Sequence, residues 1–352
     1  RKGCLKTLLP IQAWALREIS IAQGMLASIP VGSGKCCDKS VELFDYRTSR
    51  RRTVAEVGAL DVATFDNTLS VASATAFPSG SKPCVEVQLR DGSSLKLSTD
   101  HPVLTARGWI HAAELQTTDY AAVAVEMPEP QNPIVATDAE VKFVAYMLSD
   151  GGCSQAQLNF TNADDRLIAD FESAANACGF TLVERESQSK ARQFGVNKGY
   201  ARPLDNKGGT LRDRWGLHGL AKDKRAHADI WGLPRRQVAL FLNRFWACDG
   251  HVAKSHLEIT LASEKLIDDL RFLLTRLGVR SAKHFKPSSY MKNGVRHHFD
   301  AWRLHISGAA ALKFLDEVGD VLGKEQACTA YRAKLEATHR NTNFDVVPIG
   351  LP

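Results

Sequence analysis

Two groups of residues in this chain could do chemistry. The first begins at Pro30-Val31-Gly32-Ser33-Gly34-Lys35, a glycine-rich stretch ending in Lys. In such a loop Gly32, Gly34 and Lys35 would cradle the phosphates of ATP, and the next residue should be Ser or Thr, whose hydroxyl ligates Mg²⁺. Here the next residues are Cys36 and Cys37. A thiol at this break is a nucleophile. Attack of the Cys36 thiolate on the carbonyl carbon of Lys35 would turn the amide into a thioester. The amide nitrogen is a poor leaving group and must be protonated as the bond breaks. Downstream, Ser98-Thr99-Asp100-His101 offers His101 as the general acid, with the Ser98 and Thr99 hydroxyls able to polarise the scissile peptide. Cys36 is preferred to Cys37, because excision after Lys35 lets a downstream Ser or Thr close the phosphate loop in register.

The second group is a pair of carboxylates. Phe143-Val144-Ala145-Tyr146-Met147-Leu148-Ser149 is apolar and runs into Asp150-Gly151. Leu240 to Cys248 is similar and runs into Asp249-Gly250. The two belong to an internal duplication with an offset of 99 positions: Leu158 and Thr161 fall on Leu257 and Thr260, Leu167-Ile168 on Leu266-Ile267, Asp170 on Asp269, and Gly179 on Gly278. Two apolar helices in a duplicated unit are best buried against each other. That contact would set Asp150 beside Asp249. Adjacent carboxylates repel unless a cation lies between them. Asp oxygens suit Mg²⁺, and metal-held water can cleave a phosphodiester. The plainer alternative is two core helices with capping Asp residues.

The elements that must position these groups follow from pattern. Residues 36 to about 125 read as short strands. Cys84–Leu89 and Ser94–Leu97 are joined through Asp91-Gly92, a strong hairpin turn, so this stretch is expected to be all-β. Pro128, Pro130 and Pro133 mark a linker. From 137 onward each repeat reads as apolar helix, Asp-Gly, strand, and amphipathic helix ending at Gly, an α+β pattern. Residues 181 to 225 hold eleven Lys or Arg against five Asp or Glu, and a second basic stretch carries Arg276, Arg280, Lys283, Lys286, Lys292, Arg296 and Arg303 with His284, His297 and His298. Double-stranded DNA is the expected partner, through its phosphates first.

Composition fits this organisation. The chain has 352 residues, 44% hydrophobic and 24% charged, with a formal net charge of +6. No apolar run approaches a membrane span. Eight Cys without a CxxC pair or a regular framework point to a reducing, cytoplasmic setting, and a monomer is expected. The chain does not begin with Met, and it ends on Gly350-Leu351-Pro352, so both ends are expected to be cuts through a longer protein.

Three resemblances attach to these residues. A Gln12-containing helical stretch ahead of the Pro30–Lys35 loop resembles the opening of superfamily-2 DEAD/DEAH-like helicases, and no acidic Walker-B run follows. Residues 1–35 are thus expected to be a host-helicase stump, the part to which ATP would belong. Cys36, the strand at Val41–Phe44, and Ser98 to Thr105 with Gly108-Trp109 resemble the Hint splicing domain of inteins, over residues 36–130. That family usually has Thr where Ser98 stands, and its splicing chemistry needs no cofactor. Residues 137–352 resemble the two-motif LAGLIDADG homing endonucleases, which implies Mg²⁺ held by Asp150 and Asp249. The family's Lys-x-Ile-Pro segment corresponds to Lys224-Arg225-Ala226-His227, which makes Lys224 the candidate catalytic lysine although the Pro is lost. Together these imply an intein carrying a nested endonuclease. Asn341 to Pro348 resembles a late endonuclease segment, so the His-Asn block that completes splicing is expected beyond Pro352. The rival readings are a helicase with unusual inserts and a DNA-binding module on an inactive endonuclease scaffold.

Overall fold

The computed structural model describes Leu5–Leu8 and residues 37–338, apart from residues 57, 67, 79, 124–125, 156, 187–189, 199–210 and 293. Gly32, Gly34, Lys35 and Cys36, and the segment from Asn341 to Pro348, lie outside the described residues. The described chain divides into two compact units. One holds the residues up to Pro133 together with Leu274–Lys283, and the other holds Ile134–Leu273 and His284–Thr338.

In the first unit the described residues up to Pro133 form strands and short 3₁₀ turns. Four antiparallel hairpins succeed one another: Glu42–Asp45 with Arg50–Thr53, Ala59–Asp66 with Thr68–Thr75, Cys84–Leu89 with Ser94–Ser98, and Pro102–Thr105 with Gly108–His111. Asp91-Gly92 makes the turn of the third. Gly92 has φ +82°, open to a residue without Cβ, and its N–H donates to the Leu89 carbonyl at 3.0 Å. Val87, Leu89, Leu97, Val103, Ala112, Leu115 and Ala121 form the core beneath the third and fourth hairpins, and Leu43, Leu60 and Val62 form a separate one beneath the first two. One residue of the basic stretch departs from expectation. Arg276 is fully buried, bonded to Glu129 at 2.7 Å and set 5.9 Å over the Phe44 ring, so it stabilises this unit and is no surface cation.

The second unit, with the strip Leu274–Lys283 counted in the first, is the duplication made visible. Its first repeat runs α1 (Asp138–Leu148), β1 (Gly151–Gly152), β2 (Leu158–Asn162), α2 (Asp165–Ala177), β3 (Phe180–Arg185) and β4 (Arg192–Lys198). The second runs α3 (Arg235–Asp249), β5 (Gly250–Val252), β6 (Leu257–Leu261), α4 (Glu264–Arg276), β7 (Ala282–Phe285), an inserted hairpin of β8 (Ser288–Lys292) and β9 (Val295–Phe299), and β10 (Trp302–Ile306). Helices α5 (Gly308–Val318) and α6 (Glu325–Ala337) follow. The sheets have matching orders, β1-β2-β4-β3 and β5-β6-β10-β7. Registers match at the same offset. Gly151 pairs with Phe160 and Gly250 with Ile259, while Gly152 pairs with Asn159 and His251 with Glu258.

Local rules explain the helix boundaries. Thr137 and Glu140 form a reciprocal capping box at the start of α1, with the Glu140 N–H donating to Thr137 Oγ1 at 3.2 Å and the Thr137 N–H to Glu140 Oε2 at 2.8 Å. Asp164 caps α2 by accepting from the Arg166 N–H. Both amphipathic helices stop ahead of a left-handed glycine, Gly179 at φ +79° and Gly278 at φ +72°. Helix α1 packs principally on α3. Tyr146, Phe143, Phe241, Phe245 and Trp246 are each fully buried, a burial worth about 1.5–3 kcal/mol for a side chain of this size.

Gly151 and Gly250 allow the chain to turn from helix into sheet against its own last turn. A Cβ at Gly151 would lie 2.5 Å from Met147 Cα and from the Met147 carbonyl oxygen. At Gly250 it would lie 2.2 Å from Trp246 Cδ1 and 2.7 Å from the Trp246 oxygen. Backbone cannot yield as a flexible side chain can. Gly151→Ala and Gly250→Ala should each cost about 1–3 kcal/mol, read from the denaturant midpoint. Wild-type midpoints in both variants would refute this packing.

Candidate functional site

The site sits where α1 and α3 end. Asp150 follows the α1 C-cap residue Ser149, and Asp249 is the last residue of α3. The two carboxyl groups feel each other. Burial first, and then the negative charge of Asp150, push the Asp249 carboxyl up to about 7, against the pull of Lys224 and Lys324. Asn162 on β2 holds Asp150 through Nδ2, which donates to Oδ2 at 2.7 Å and lies 3.9 Å from the Cys248 sulfur. Burial and the two nearby carboxylates drive the Cys248 thiol far above its usual range, so it stays protonated.

Behind the carboxylates stand two lysines in matching roles. The last carbonyls of a helix lack intrahelical partners and carry partial negative charge. Lys224, only 7% exposed, donates to the oxygens of Met147 (3.1 Å), Leu148 (2.9 Å), Ser149 (2.9 Å) and Gly151 (2.7 Å). Lys324 does the same for α3, donating to Trp246 (2.6 Å), Ala247 (2.7 Å), Cys248 (3.4 Å) and Gly250. In each case there are more acceptors than ammonium protons, so some bonds are shared. Burial lowers the proton affinity of both amines, while Asp249 and Asp150 raise it. The result is a nearly symmetric set of two acids and two ammonium groups.

Sequence reasoning reached Asp150, Asp249 and Lys224 but not Lys324. The repeat offset carried from Lys224 lands on Gly323, one residue short, so a single-residue slip hides the partner. Ser263 was also missed. Its hydroxyl donates to the Lys224 carbonyl at 2.6 Å and fixes the segment that aims the lysine.

The donor set fits Mg²⁺. Burial first, and then its acidic neighbour, let the Asp249 carboxyl keep its proton to near neutrality, and a cation bound there would offset both effects. Among the described residues no three His, Cys, Asp or Glu converge. Mg²⁺ commonly takes one or two carboxylates and keeps several waters.

In the first unit, Ser98 and His101 are each 1% exposed. The His101 N–H donates to the Ser98 carbonyl at 3.0 Å, and the Ala112 N–H donates to the His101 carbonyl at 2.7 Å. The Thr99 N–H donates to the Pro83 carbonyl at 3.0 Å. Cys37 bridges antiparallel to Leu97, and the Asp38 N–H reaches the Lys96 carbonyl at 3.1 Å. The neighbour of Cys36 therefore lies against the neighbour of Ser98.

Residues 236–319, which hold Asp249, match the model of a LAGLIDADG-like domain. The chain is 27% identical over 293 residues to the replicative DNA helicase DnaB of Rhodothermus marinus, covering 78% of this chain and 30% of that protein. It is 25% identical over 285 residues to the replication factor C small subunit of Thermococcus kodakarensis, covering 74% and 28%. With the probable translation initiation factor IF-2 of Pyrococcus horikoshii the identity is 25% over 233 residues, covering 63% and 19%. The chain thus spans a third or less of each of these relatives. Among solved structures, the complex of I-DmoI with DNA and Mn aligns with a TM-score of 0.34 at 13% identity, over 52% of this chain and 96% of that one.

The raised Asp249 carboxyl sets a pH dependence. In the folded state it keeps a proton to about 7, whereas in the unfolded chain the carboxyl loses it near its ordinary value of 3.8. Its contribution to stability is therefore full below the unfolded value and is lost as pH rises through 7. Without divalent cations, Asp249→Asn should melt higher than wild type at pH 8 and similarly at pH 4. Mg²⁺ should raise the wild-type melting temperature more at pH 8 than at pH 5.5. Equal Mg²⁺ shifts at both pH values, or no gain in Asp249→Asn, would contradict the coupled pair.

Proposed function

We propose that residues 134–338 act as a Mg²⁺-dependent, site-specific double-strand DNA endonuclease, nested in an intein whose splicing nucleophile is Cys36. The observation that carries the nuclease reading is the carboxylate pair at the ends of two packed helices, each backed by a lysine, in two repeats of one register. A duplicated arrangement matches the near two-fold symmetry of duplex DNA, so each half can serve one strand. Asp150 and Asp249 would hold the cation, which supplies activated water and stabilisation of the leaving oxygen. Asn162 orients Asp150. Lys224 and Lys324 hold positive charge beside the carboxylates and keep the helix ends rigid. Their lowered proton affinity suits them to exchange a proton near the scissile phosphate.

The intein reading draws on the relatives. A helicase, a replication factor subunit and a translation factor have different activities, yet each matches most of this chain over a third or less of its own length. An inserted element shared by different hosts accounts for that pattern better than a shared host activity does. At the splice junction, the Cys36 sulfur would bond to the Lys35 carbonyl carbon as the C–N bond breaks. The proton given up by the thiol would reach the new Cys36 amine by way of His101. The likeness to a helicase keeps one alternative open, that residues 1–35 belong to a host ATPase active only after the insert leaves.

For the nuclease, Asp150→Asn and Asp249→Asn should each abolish double-strand cutting of the uninterrupted host gene across the Lys35 junction while leaving duplex affinity within a few-fold of wild type. Normal two-strand cutting by both variants would reduce these residues to helix caps. For splicing, a strong thiol should release residues 1–35 from the purified chain. His101→Ala should slow that release, and Cys36→Ala should stop it. Release that persists in Cys36→Ala, or moves to Cys37, would remove Cys36 as nucleophile.

A further inference from the structure

The first unit takes in a strip of sequence that lies far beyond its hairpins. Leu274–Lys283 comprises the end of α4, the left-handed turn at Gly278 and the start of β7. Leu274, Arg276, Leu277 and Val279 on this strip are fully buried. A buried guanidinium is costly to strip of water and persists only with partners. Arg276 Nη2 donates to Glu129 Oε2 at 2.7 Å, across 147 residues of sequence, and the guanidinium carbon lies 5.9 Å from the centre of the Phe44 ring. Tyr46, two residues on from Phe44, is buried as well. Burial pushes its phenol well above its usual range, while Arg276 and Glu129 act on it in opposite senses.

The strip grips two pieces of chain, and both lead to the splicing residues. The strand Glu42–Asp45, which carries Phe44, is tied back to Cys37 by a short path. The Val41 N–H donates to the Asp38 carbonyl at 3.0 Å, the Asp38 N–H donates to the Lys96 carbonyl at 3.1 Å, and Cys37 bridges to Leu97. The second grip is on the hairpin whose far end is Ser98. At its turn the Lys283 N–H donates to the Asp91 carbonyl at 2.7 Å. A Cβ on Gly92 would lie 2.2 Å from the Lys283 carbonyl oxygen, so this close approach needs the glycine as much as the turn does. One strip thus holds the strand that follows Cys37 and the hairpin that runs on to His101.

We infer that Leu274–Lys283 is a working part of the splicing unit and that Arg276 is a positioning residue, which by holding Phe44 and Glu129 sets the strand after Cys37 in place for thioester formation. This rests on the splicing reading above. It adds that thioester formation draws on a segment of the nuclease's second repeat.

The full chain would be treated with dithiothreitol over a range of concentrations, and the release of residues 1–35 followed in time. The added thiol takes the Lys35 acyl group from the Cys36 thioester, and Cys36 leaves as a free thiol. At saturating thiol the rate is therefore that of thioester formation. Arg276→Met should lower this plateau rate about tenfold to a hundredfold, the loss that follows a displacement of about 1 Å at a reacting group. The half-saturating thiol concentration should stay as in wild type. Arg276→Lys, which keeps the charge without the planar fork, should recover part of the rate. Glu129→Gln should lower the plateau in the same sense, and because the Glu129 side chain is 43% exposed, its result decides the matter even if Arg276→Met fails to fold. A smaller released fraction at an unchanged plateau rate would mean that the strip only stabilises, and would overturn the inference. Wild-type rates in both Arg276→Met and Glu129→Gln would overturn it too and leave the splicing reading standing. A wild-type chain that releases nothing would overturn both.

Discussion

The burial of α1 against α3 is the constraint on which the rest of the second unit depends. It brings two carboxyl groups together at the helix ends, and one of them resists ionisation, first through burial and then through the other's charge. A pair of core helices could have ended in any polar caps. These end in Asp followed by Gly, and each Gly presses against its own helix's last turn. The packing that stabilises the unit is therefore the same packing that creates the electrostatic strain at its site. A cation bound there would relieve that strain, so metal binding would raise stability through this one pair of residues.

The lysines complete this arrangement. A helix C-terminus ending beside an acid concentrates negative charge, from the free carbonyls and from the carboxylate. Lys224 and Lys324 answer both at once. Each is tethered by carbonyls of the helix it caps, which limits its movement to the place where it faces the acids. Ser263 and Asn162 play the corresponding role one layer further out, fixing the backbone of Lys224 and the carboxylate of Asp150. The site is rigid because its charged groups are held by main chain and not by one another alone.

The duplication is close in the parts that build this site and loose elsewhere. The helix–glycine–strand corner keeps one offset and one pairing register in both halves. The equivalent acids, half-buried Asp170 and fully buried Asp269, differ in their partners. Asp170 takes Lys142, Tyr146 and Arg244, whereas Asp269 takes the Ala226 N–H, Arg225 and the indole of Trp231. The hairpin insertion is confined to the second half. The corner that carries the two acids has been kept alike, while the hairpin and the surroundings of the equivalent acids have diverged.

Much of this was legible in the sequence. The offset repeat, the apolar helices, the Asp-Gly corners and the turn at Asp91-Gly92 are local patterns, and local patterns survive in one dimension. Asp150 and Asp249 could be named because a duplicated apolar helix has one economical partner, its own copy. Lys324 could not, because its role depends on reaching carbonyls 74 to 78 residues away, and one residue of slip breaks the repeat there. Arg276 read as part of a basic surface, since sequence counts charges and cannot tell a guanidinium facing water from one buried over Phe44. The hairpin at Ser288–Phe299 was visible only as a basic stretch. Where the paired acids stand was written in spacing. Which charges are buried, shared or left projecting was decided by tertiary packing, because desolvation and long-range contact exist only once the chain has folded.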